Sequence, residues 1–97
     1  MIKTQKEIKL KDGSTLPKGL PVTFQTDLPS RCFVEDLSKR PECFRVRVTS
    51  AFRAPSVMTL QKWDNEGFCK SIGGKKVEPD GWDCDQTPSW MLALSLI

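Results

Sequence analysis

Residues 43–67 read CFRVRVTSAFRAPSVMTLQKWDNEG and contain the most regular pattern in the 97-residue chain. Apolar and polar side chains alternate from Cys43 to Phe52, which predicts one long β-strand. The inward face of this strand is expected to carry Phe44, Val46, Val48, Ser50 and Phe52. The outward face is expected to carry Arg45, Arg47 and Thr49. The rest of the fold should therefore pack against the inward face.

A helix is predicted shortly after this strand. Ser56 is a good N-cap, Pro55 keeps the chain from entering the helix earlier, and Gly67 favours the left-handed conformation that ends a helix. The helix is expected to run from about Ser56 to Glu66. Its apolar stripe, with Met58 beside it, consists of Val57, Leu60 and Trp63. Because such a stripe normally faces the core, Trp63 is interpreted as a packing residue.

The N-terminal quarter of the chain predicts two strands. Residues 2–10 alternate, and their apolar face consists of Ile2, Thr4, Ile8 and Leu10. The pair Asp12-Gly13 favours a tight hairpin turn, and residues 20–24 resume an extended run whose prolines favour an edge position. This order of a strand, an Asp-Gly turn, a Pro-x-Gly turn and a Val-x-Phe strand resembles the opening of small SH3-like barrels.

The remaining segments add a strand, a loop, a hairpin and a second helix. Residues 31–35 are a candidate strand, and residues 36–42 are expected to form an exposed loop. Gly73-Gly74 separates two short extended segments, which predicts a two-residue hairpin turn. Thr87-Pro88 is typical of a helix start, so the apolar residues 89–97 are expected to be helical. This helix must be covered by the chain's own sheet or, alternatively, by a second copy in a homodimer.

These signals predict an α+β fold in a single domain spanning residues 1–97. We expect four to six short, mainly antiparallel strands in a small, partly closed SH3-like β-barrel, with one mid-chain helix and one C-terminal helix. A chain of this length buries only about two thirds of its unfolded surface, so it can hold one modest core. Hydrophobic content of 38% with 28% charged residues is typical of a folded protein rather than a disordered one.

The N-terminal residues lack the apolar run of a signal peptide. The longest apolar run, residues 90–94, is far shorter than the roughly 20 residues that a membrane span needs. We therefore expect a cytoplasmic protein without a membrane partner.

Charge is distributed unevenly along the chain. Residues 1–76 hold all 15 lysines and arginines and eight of the 12 acids, whereas residues 77–97 hold four acids and no base. Such an asymmetry indicates a nucleic-acid surface with an acidic segment nearby, or an acidic tail that folds back on its own basic body.

Four cysteines, Cys32, Cys43, Cys69 and Cys84, are present without a CxxC pair, and the chain has no histidine. This pattern does not favour a zinc site, and it leaves reduced thiols as the expectation, with disulfides as the alternative in an oxidising compartment. Asp83, Asp85 and Thr87 alternate as in a calcium loop but lack the glycine and late glutamate of an EF-hand. No metal and no cofactor are expected.

Catalytic patterns are not found in the sequence. Without histidine and tyrosine the usual general bases are reduced to carboxylates and lysines, and neither a Gly-x-Ser-x-Gly motif nor a phosphate-binding glycine loop is present. The sequence therefore predicts a protein that is not an enzyme.

Residues 59–67, TLQKWDNEG, are similar to the Thr-Leu-x-x-Trp-x-x-x-Gly stretch of excisionase and MerR-like winged-helix domains. In those families a helix enters the major groove and a hairpin wing touches the DNA backbone. The resemblance implies that Gln61 and Lys62 lie near DNA and that the wing carries Lys70, Lys75 and Lys76.

Residues 77–81 and 87–94 resemble the C-terminal end of short uncharacterised proteins from phage and prophage early regions. This resemblance implies a phage or mobile-element accessory protein acting in the cytoplasm of a bacterial host cell. Proteins of this size in that context are commonly regulators, DNA-associated accessories or inhibitors of host machinery.

Two functions remain open after these considerations. The first is nucleic-acid binding through Arg45, Arg47, Arg53, Lys62, Lys70, Lys75 and Lys76. In this interpretation Arg45 and Arg47 lie about 7 Å apart on one strand face and contact successive phosphates. The alternative is that they pair with Glu35, Asp36 or the acidic tail. The second is a protein-interaction module that inhibits or redirects a host defence or DNA-processing protein through Trp82, Trp90, Met91 and Leu94.

Overall fold

The computed structural model describes residues 2–10, 13–36 and 40–97, and for residues 35, 36 and 40–44 it describes the backbone alone. The strands of this part of the chain are β1 (Ile8–Lys9), β2 (Thr15–Leu16), β3 (Val22–Phe24), β4 (Arg31–Asp36), β5 (Arg40–Arg47), β6 (Cys69–Lys70) and β7 (Lys76–Val77). The helices are α1 (Val48–Ala51), α2 (Val57–Glu66) and α3 (Trp90–Ala93).

The strands form three separate antiparallel sheets, β1-β2, β3-β4-β5 and β6-β7. This arrangement confirms the α+β class, and it adds a third helix to the two that the sequence predicts. Within the described ranges no closed barrel is found, so the SH3-like barrel stays a prediction.

The predicted strand over residues 2–10 is only partly correct, because β1 is limited to Ile8–Lys9 and Lys3 forms an isolated bridge, but the predicted alternation of burial is observed. Thr4 and Ile8 are buried, whereas the intervening polar residues are largely exposed. The β1-β2 hairpin confirms the predicted reversal, with Gly13 at a φ of 89°. Strand β3 is the outer strand of its three-stranded sheet, as its flanking proline predicts. Residues 2–4 lie beside the start of β3: the Val22 N–H donates to the Ile2 carbonyl at 3.0 Å, and the Thr4 N–H donates to the Leu20 carbonyl at 2.8 Å.

Strand β5 ends at Arg47, which corrects the predicted strand from Cys43 to Phe52. Its partner β4 begins at Arg31, immediately after a turn in which the Arg31 N–H donates to the Leu28 carbonyl. Within the described residues the chain from Val48 onward has no partner strand, and it forms the single turn α1. The Phe52 N–H donates to the Val48 carbonyl, and the Ala51 carbonyl accepts from the Gln5 N–H. The alternation still places Val48 and Phe52 in the core, but Ser50 is exposed rather than inward.

The predicted loop over residues 36–42 is also corrected in part. Asp36 ends β4, and Arg40 already belongs to β5, with an irregular register between Glu35 and Asp36. Residues 37–39 lie outside the described part of the chain, as does the predicted inward side chain of Phe44.

Helix α2 begins and ends where the sequence predicts. The Ser56 hydroxyl accepts a hydrogen bond from the Thr59 N–H at 3.2 Å, and Gly67 ends the helix at a φ of 78°. The predicted stripe is only partly correct: Leu60 and Trp63 pack against the core, but the side chain of Val57 is 69% exposed. Since each three-residue step rotates about 60° around the helix, Val57 lies well away from Trp63 on the surface.

The C-terminal helix is much shorter than predicted. It spans Trp90–Ala93 and is capped by Ser89, whose hydroxyl accepts from the Leu92 N–H. Thr87 is not the cap: its carbonyl accepts from the Asp83 N–H at 3.0 Å instead of from a helical N–H, and its own N–H and hydroxyl donate to the Asp83 carboxylate. Pro88 lies in extended chain that bridges to Trp82.

The core lies between the β3-β4-β5 sheet and the C-terminal half of the chain. It contains Val22, Cys32, Val34, Phe52, Cys69, Ile72, Trp90 and Met91. The rings of Phe24 and Phe52 stack with centroids 5.9 Å apart. No described helix has the length and apolar character needed to cross a membrane. On the opposite face of the sheet the side chains of Thr23, Arg31, Arg45 and Arg47 are exposed.

Candidate functional site

Two arginines lie directly opposite each other on the outer face of the central sheet. Arg31 on β4 pairs with Arg47 on β5, and both side chains are exposed. The Val48 N–H donates to the Ser30 carbonyl at 3.1 Å, so the next pair, Arg31 and Arg47, is a non-hydrogen-bonded pair. Side chains approach most closely at such positions, with Cα atoms about 4.5 Å apart.

An opposed pair of like charges destabilises a sheet unless an anion lies between or above the charges. The alternative from the sequence, that the strand arginines pair with the acidic tail, is not what the described side chains show. The ion pair formed by the tail is between Lys75 and Asp85, with Nζ and Oδ2 2.8 Å apart. The side chains of Glu35 and Asp36, the other predicted partners, lie outside the described part.

An aromatic ring adjoins the arginine pair on the same face. Phe33 is opposite Arg45, one non-hydrogen-bonded pair farther along the two strands, and its ring is partly exposed. The Arg45 guanidinium lies over this ring, 5.2 Å from its centroid. We call Arg31, Phe33, Arg45 and Arg47 the arginine face.

A cleft of about 360 Å³ opens at the end of the arginine face. Arg31 and Arg47 line it, together with polar and apolar groups that include Thr49, Leu94 and Ser95. Among the described residues that line it none is acidic, so its potential is set by the two guanidinium groups. The cleft is therefore suited to a negatively charged group.

The β6-β7 hairpin carries a second pair of opposed bases. Lys70 pairs with Lys76, and the Lys76 ammonium lies 4.7 Å from the centroid of the Phe68 ring. Unlike the arginine cleft, the cleft beside Lys76 is also lined by Glu66 and Glu78. These carboxylates lower the positive potential of the hairpin.

Lys75, also predicted to bind nucleic acid, is engaged within the protein. Its ammonium contacts the Asp85 carboxylate at 2.8 Å and the Cys84 Sγ at 3.0 Å. The hydrogen bond to Asp85, followed by that to Cys84, raises the pKa of Lys75. An incoming phosphate would have to compete with Asp85 for this ammonium.

The other two predicted basic residues are exposed but lie on other elements. The backbone N–H of Arg53 donates to the Gln5 side chain after α1. Lys62 lies on α2, in the half of the helix that also carries Asp64 and Glu66. Neither residue has the opposed partner that distinguishes the arginine face.

The four residues predicted to bind a partner protein are mostly covered by the chain itself. Trp90 and Met91 are 6% and 5% exposed and belong to the core, while Trp82 and Leu94 are half-buried. A more accessible apolar groove of about 570 Å³ lies nearby and includes Val57, Leu96 and Ile97. The C-terminal apolar run is thus divided between the core and this groove.

The carboxylate of Asp83 accepts hydrogen bonds from the loop whose alternating oxygen ligands resemble those of a calcium loop. Its Oδ1 accepts from the N–H groups of Asp85 and Thr87 and from the Thr87 hydroxyl, and its Oδ2 accepts from the Ser71 hydroxyl at 2.5 Å. Burial alone would raise the pKa of Asp83, but these hydrogen bonds outweigh it and hold the pKa below the ordinary value. Across the described residues no cluster of three metal-ligating side chains is found.

The described cysteines are free thiols. Cys32 and Cys69 are buried and Cys84 is exposed, whereas Cys43 lies outside the described side chains. Burial raises the pKa of Cys32 to about 12, so this thiol stays protonated and behaves as a packing residue.

Comparison with known proteins gives no match to a family model, to a curated protein or to a solved structure. The interpretation of the arginine face therefore rests on its geometry. Sequence reasoning missed Arg31 and Phe33 because it assigned them only to a strand. The antiparallel register of β4 and β5 could have identified them, because a pairing of Phe33 with Arg45 also places Arg31 opposite Arg47.

Proposed function

We propose that this protein binds nucleic acid through the arginine face, without catalysing a reaction. The observation that carries the proposal is the directly opposed, exposed pair Arg31 and Arg47, which lines a cleft with no acid among its described residues. Guanidinium groups bind phosphate oxygens in a bidentate manner, and an anion placed over the pair relieves its repulsion. Phosphate contacts of this kind supply most of the affinity of nucleic-acid-binding proteins.

The biological context of the proposal comes from the resemblances in the sequence. We infer a phage or mobile-element accessory protein acting in a bacterial cytoplasm. The winged-helix alternative receives less support, since in the described residues before α2 the single turn α1 is the only helix and α2 carries acids beside Lys62. An SH3-like barrel would offer a comparable exposed sheet and stays a finer prediction of the fold.

A second candidate function is favoured by the apolar groove beside α2. Val57 and Met58 are 69% and 80% exposed, and Leu96 and Ile97 are 60% and 62% exposed. Exposed apolar side chains grouped in this way are typical of protein-interaction sites. A host-protein inhibitor would use this groove, and the arginine face would then be a solvated surface.

The test is fluorescence anisotropy with labelled random-sequence DNA, single- and double-stranded, from about 50 to 200 mM salt. We expect micromolar or tighter binding that weakens steeply with salt. The double variant Arg31→Ala/Arg47→Ala should bind at least tenfold more weakly, and its salt slope should fall by about 1.4 to 1.8. The matched control is Lys9→Ala/Lys18→Ala, which removes the same charge from exposed positions elsewhere.

Two outcomes would overturn the proposal. One is absence of binding at 50 mM salt by a protein whose circular dichroism shows it to be folded. The other is equal loss of affinity in both double variants, since this would reflect net charge rather than a site. Either result would turn attention to the apolar groove and to capture of a host protein.

A further inference from the structure

We propose that the nucleic acid bound by the arginine face is single-stranded, with a base stacked on the Arg45–Phe33 pair and the adjoining phosphate held between Arg31 and Arg47. This inference rests on the proposed function and specifies its ligand. It is carried by the position of Phe33 within the arginine face, which phosphate binding alone would not require.

The Phe33 ring projects from a well-packed part of the sheet. Phe33 lies on the solvent side of the central strand of a three-stranded sheet, flanked across the strands by Thr23 and Arg45. Its backbone neighbours Cys32 and Val34 point into the core and are fully buried, which fixes the strand beneath the ring. The ring is thus held on a rigid support and faces solvent.

A cation lies above this ring. With the guanidinium of Arg45 5.2 Å from the ring centroid, the pair presents a planar cation on an aromatic support. Bases of every kind stack on aromatic rings and on guanidinium planes, because each base has a π-face. Such stacking requires an unpaired base, since the bases of a duplex are already stacked and covered by their neighbours.

The two pairs lie close together along the strands. The pairs Phe33–Arg45 and Arg31–Arg47 are two residues apart along the strands, about 7 Å. A base and the phosphate next to it can therefore contact the two pairs at the same time. The cleft beyond Arg31 and Arg47 continues this path and offers a place for the next part of the strand.

The experiment compares four labelled probes of the same length at about 50 mM salt: a dT 12-mer, a U 12-mer, a 12-base-pair duplex, and an abasic 12-mer that keeps the phosphates. We expect at least one of the first two to bind roughly tenfold more tightly than the duplex and the abasic strand. The comparison of dT with U then separates DNA from RNA.

Variants of Phe33 test whether its ring causes the preference for single strands. Phe33→Leu should lose roughly tenfold in affinity for the preferred strand while keeping its salt slope, and Phe33→Trp should retain the affinity. The matched control Phe68→Leu removes a second ring that lies beneath a cation and should have little effect. Thermal denaturation of each variant separates loss of binding from loss of folding, and Phe33→Trp gives a folded comparison if Phe33→Leu unfolds.

The outcomes separate the two proposals. Absence of binding to all four probes would overturn the proposed function and this inference together. Equal, salt-dependent binding of the abasic, duplex and single-stranded probes would leave the proposed function standing and overturn the inference. Unchanged affinity of a folded Phe33→Leu variant would also overturn it.

Discussion

The arginine face and the β6-β7 hairpin present the same local motif in different surroundings. Each has two bases directly opposite each other on an antiparallel pair, and in each a cation lies over a phenylalanine ring. Described acids line the cleft beside the hairpin but not the cleft beside the arginine face. The electrostatic potential of a segment is therefore decided by strand register and by neighbouring carboxylates, and not by the number of basic residues in it.

The largest effect should come from removing the support of the arginine face. Val48 is 2% exposed, and Val48→Asp would bury an unpaired carboxylate beneath the sheet. We expect a loss of about 3–5 kcal/mol of folding free energy, measured by urea denaturation, with loss of binding when the domain unfolds. Thr49→Asp, at the exposed neighbouring position, is the control and should change stability little. Equal stability of the two variants would contradict the burial of Val48, and greater destabilisation by Thr49→Asp would show that the inward and outward faces are reversed.

The next effect separates folding of the hairpin from binding by the sheet. Asp83→Ala leaves the Ser71 and Thr87 hydroxyls and two backbone N–H groups without their acceptor, which should cost about 1–3 kcal/mol. If the arginine face is the binding site, the folded variant keeps its affinity for nucleic acid. Urea denaturation and anisotropy on the same preparation measure both. A stable variant that has lost binding would instead connect the Asp83 loop with the site.

The same carboxylate predicts a pH dependence. The pKa of Asp83 is lower in the folded state than its ordinary value of 3.8, so its contribution is fully present above that value and is lost as the pH falls through the folded pKa. From about pH 5 to pH 2 the wild type should therefore lose more stability than Asp83→Asn, and between pH 7 and pH 5 their difference should stay constant. Parallel curves over the whole range would contradict the assigned hydrogen bonds.

Local sequence signals predicted the elements whose ends are set by adjacent residues. The Ser56 cap and Gly67 stop lie within α2 or next to it, and the alternation around Val46 follows from burial of one strand face. The Thr87-Pro88 signal failed because the carbonyls of both residues accept hydrogen bonds from N–H groups outside the helix, those of Asp83 and Ile72, and so cannot accept helical ones.

The arginine face was half predictable from the sequence. Alternation alone placed Arg45 and Arg47 on the exposed face. Arg31 could be placed on the same face only from the pairing of β4 with β5, and this pairing depends on how the intervening turn sets the register. A single strand pattern carries no information about its partner, so the opposed pair could not be read from either strand alone.

A direct comparison of the two basic pairs should give a smaller effect at the hairpin. Lys70→Ala/Lys76→Ala removes two charges, as does Arg31→Ala/Arg47→Ala, but from a surface whose cleft contains two carboxylates. We expect a two- to threefold loss of affinity at the hairpin against at least tenfold at the arginine face, measured by anisotropy at about 50 mM salt. Comparable losses would mean that the two surfaces bind the ligand together.

The smallest effect should follow from releasing Lys75. Asp85→Asn removes the carboxylate that holds the Lys75 ammonium at 2.8 Å, and it makes the net charge of the protein one unit more positive. If the hairpin is peripheral, the added positive charge should raise affinity less than twofold, and Asp80→Asn, an exposed position in the same tail, should give the same small change. A clearly larger gain with Asp85→Asn than with Asp80→Asn would show that Asp85 restrains a lysine that contacts the ligand. In that case the acidic tail competes with nucleic acid for the hairpin, and the two basic surfaces differ in how they are regulated rather than in whether they bind.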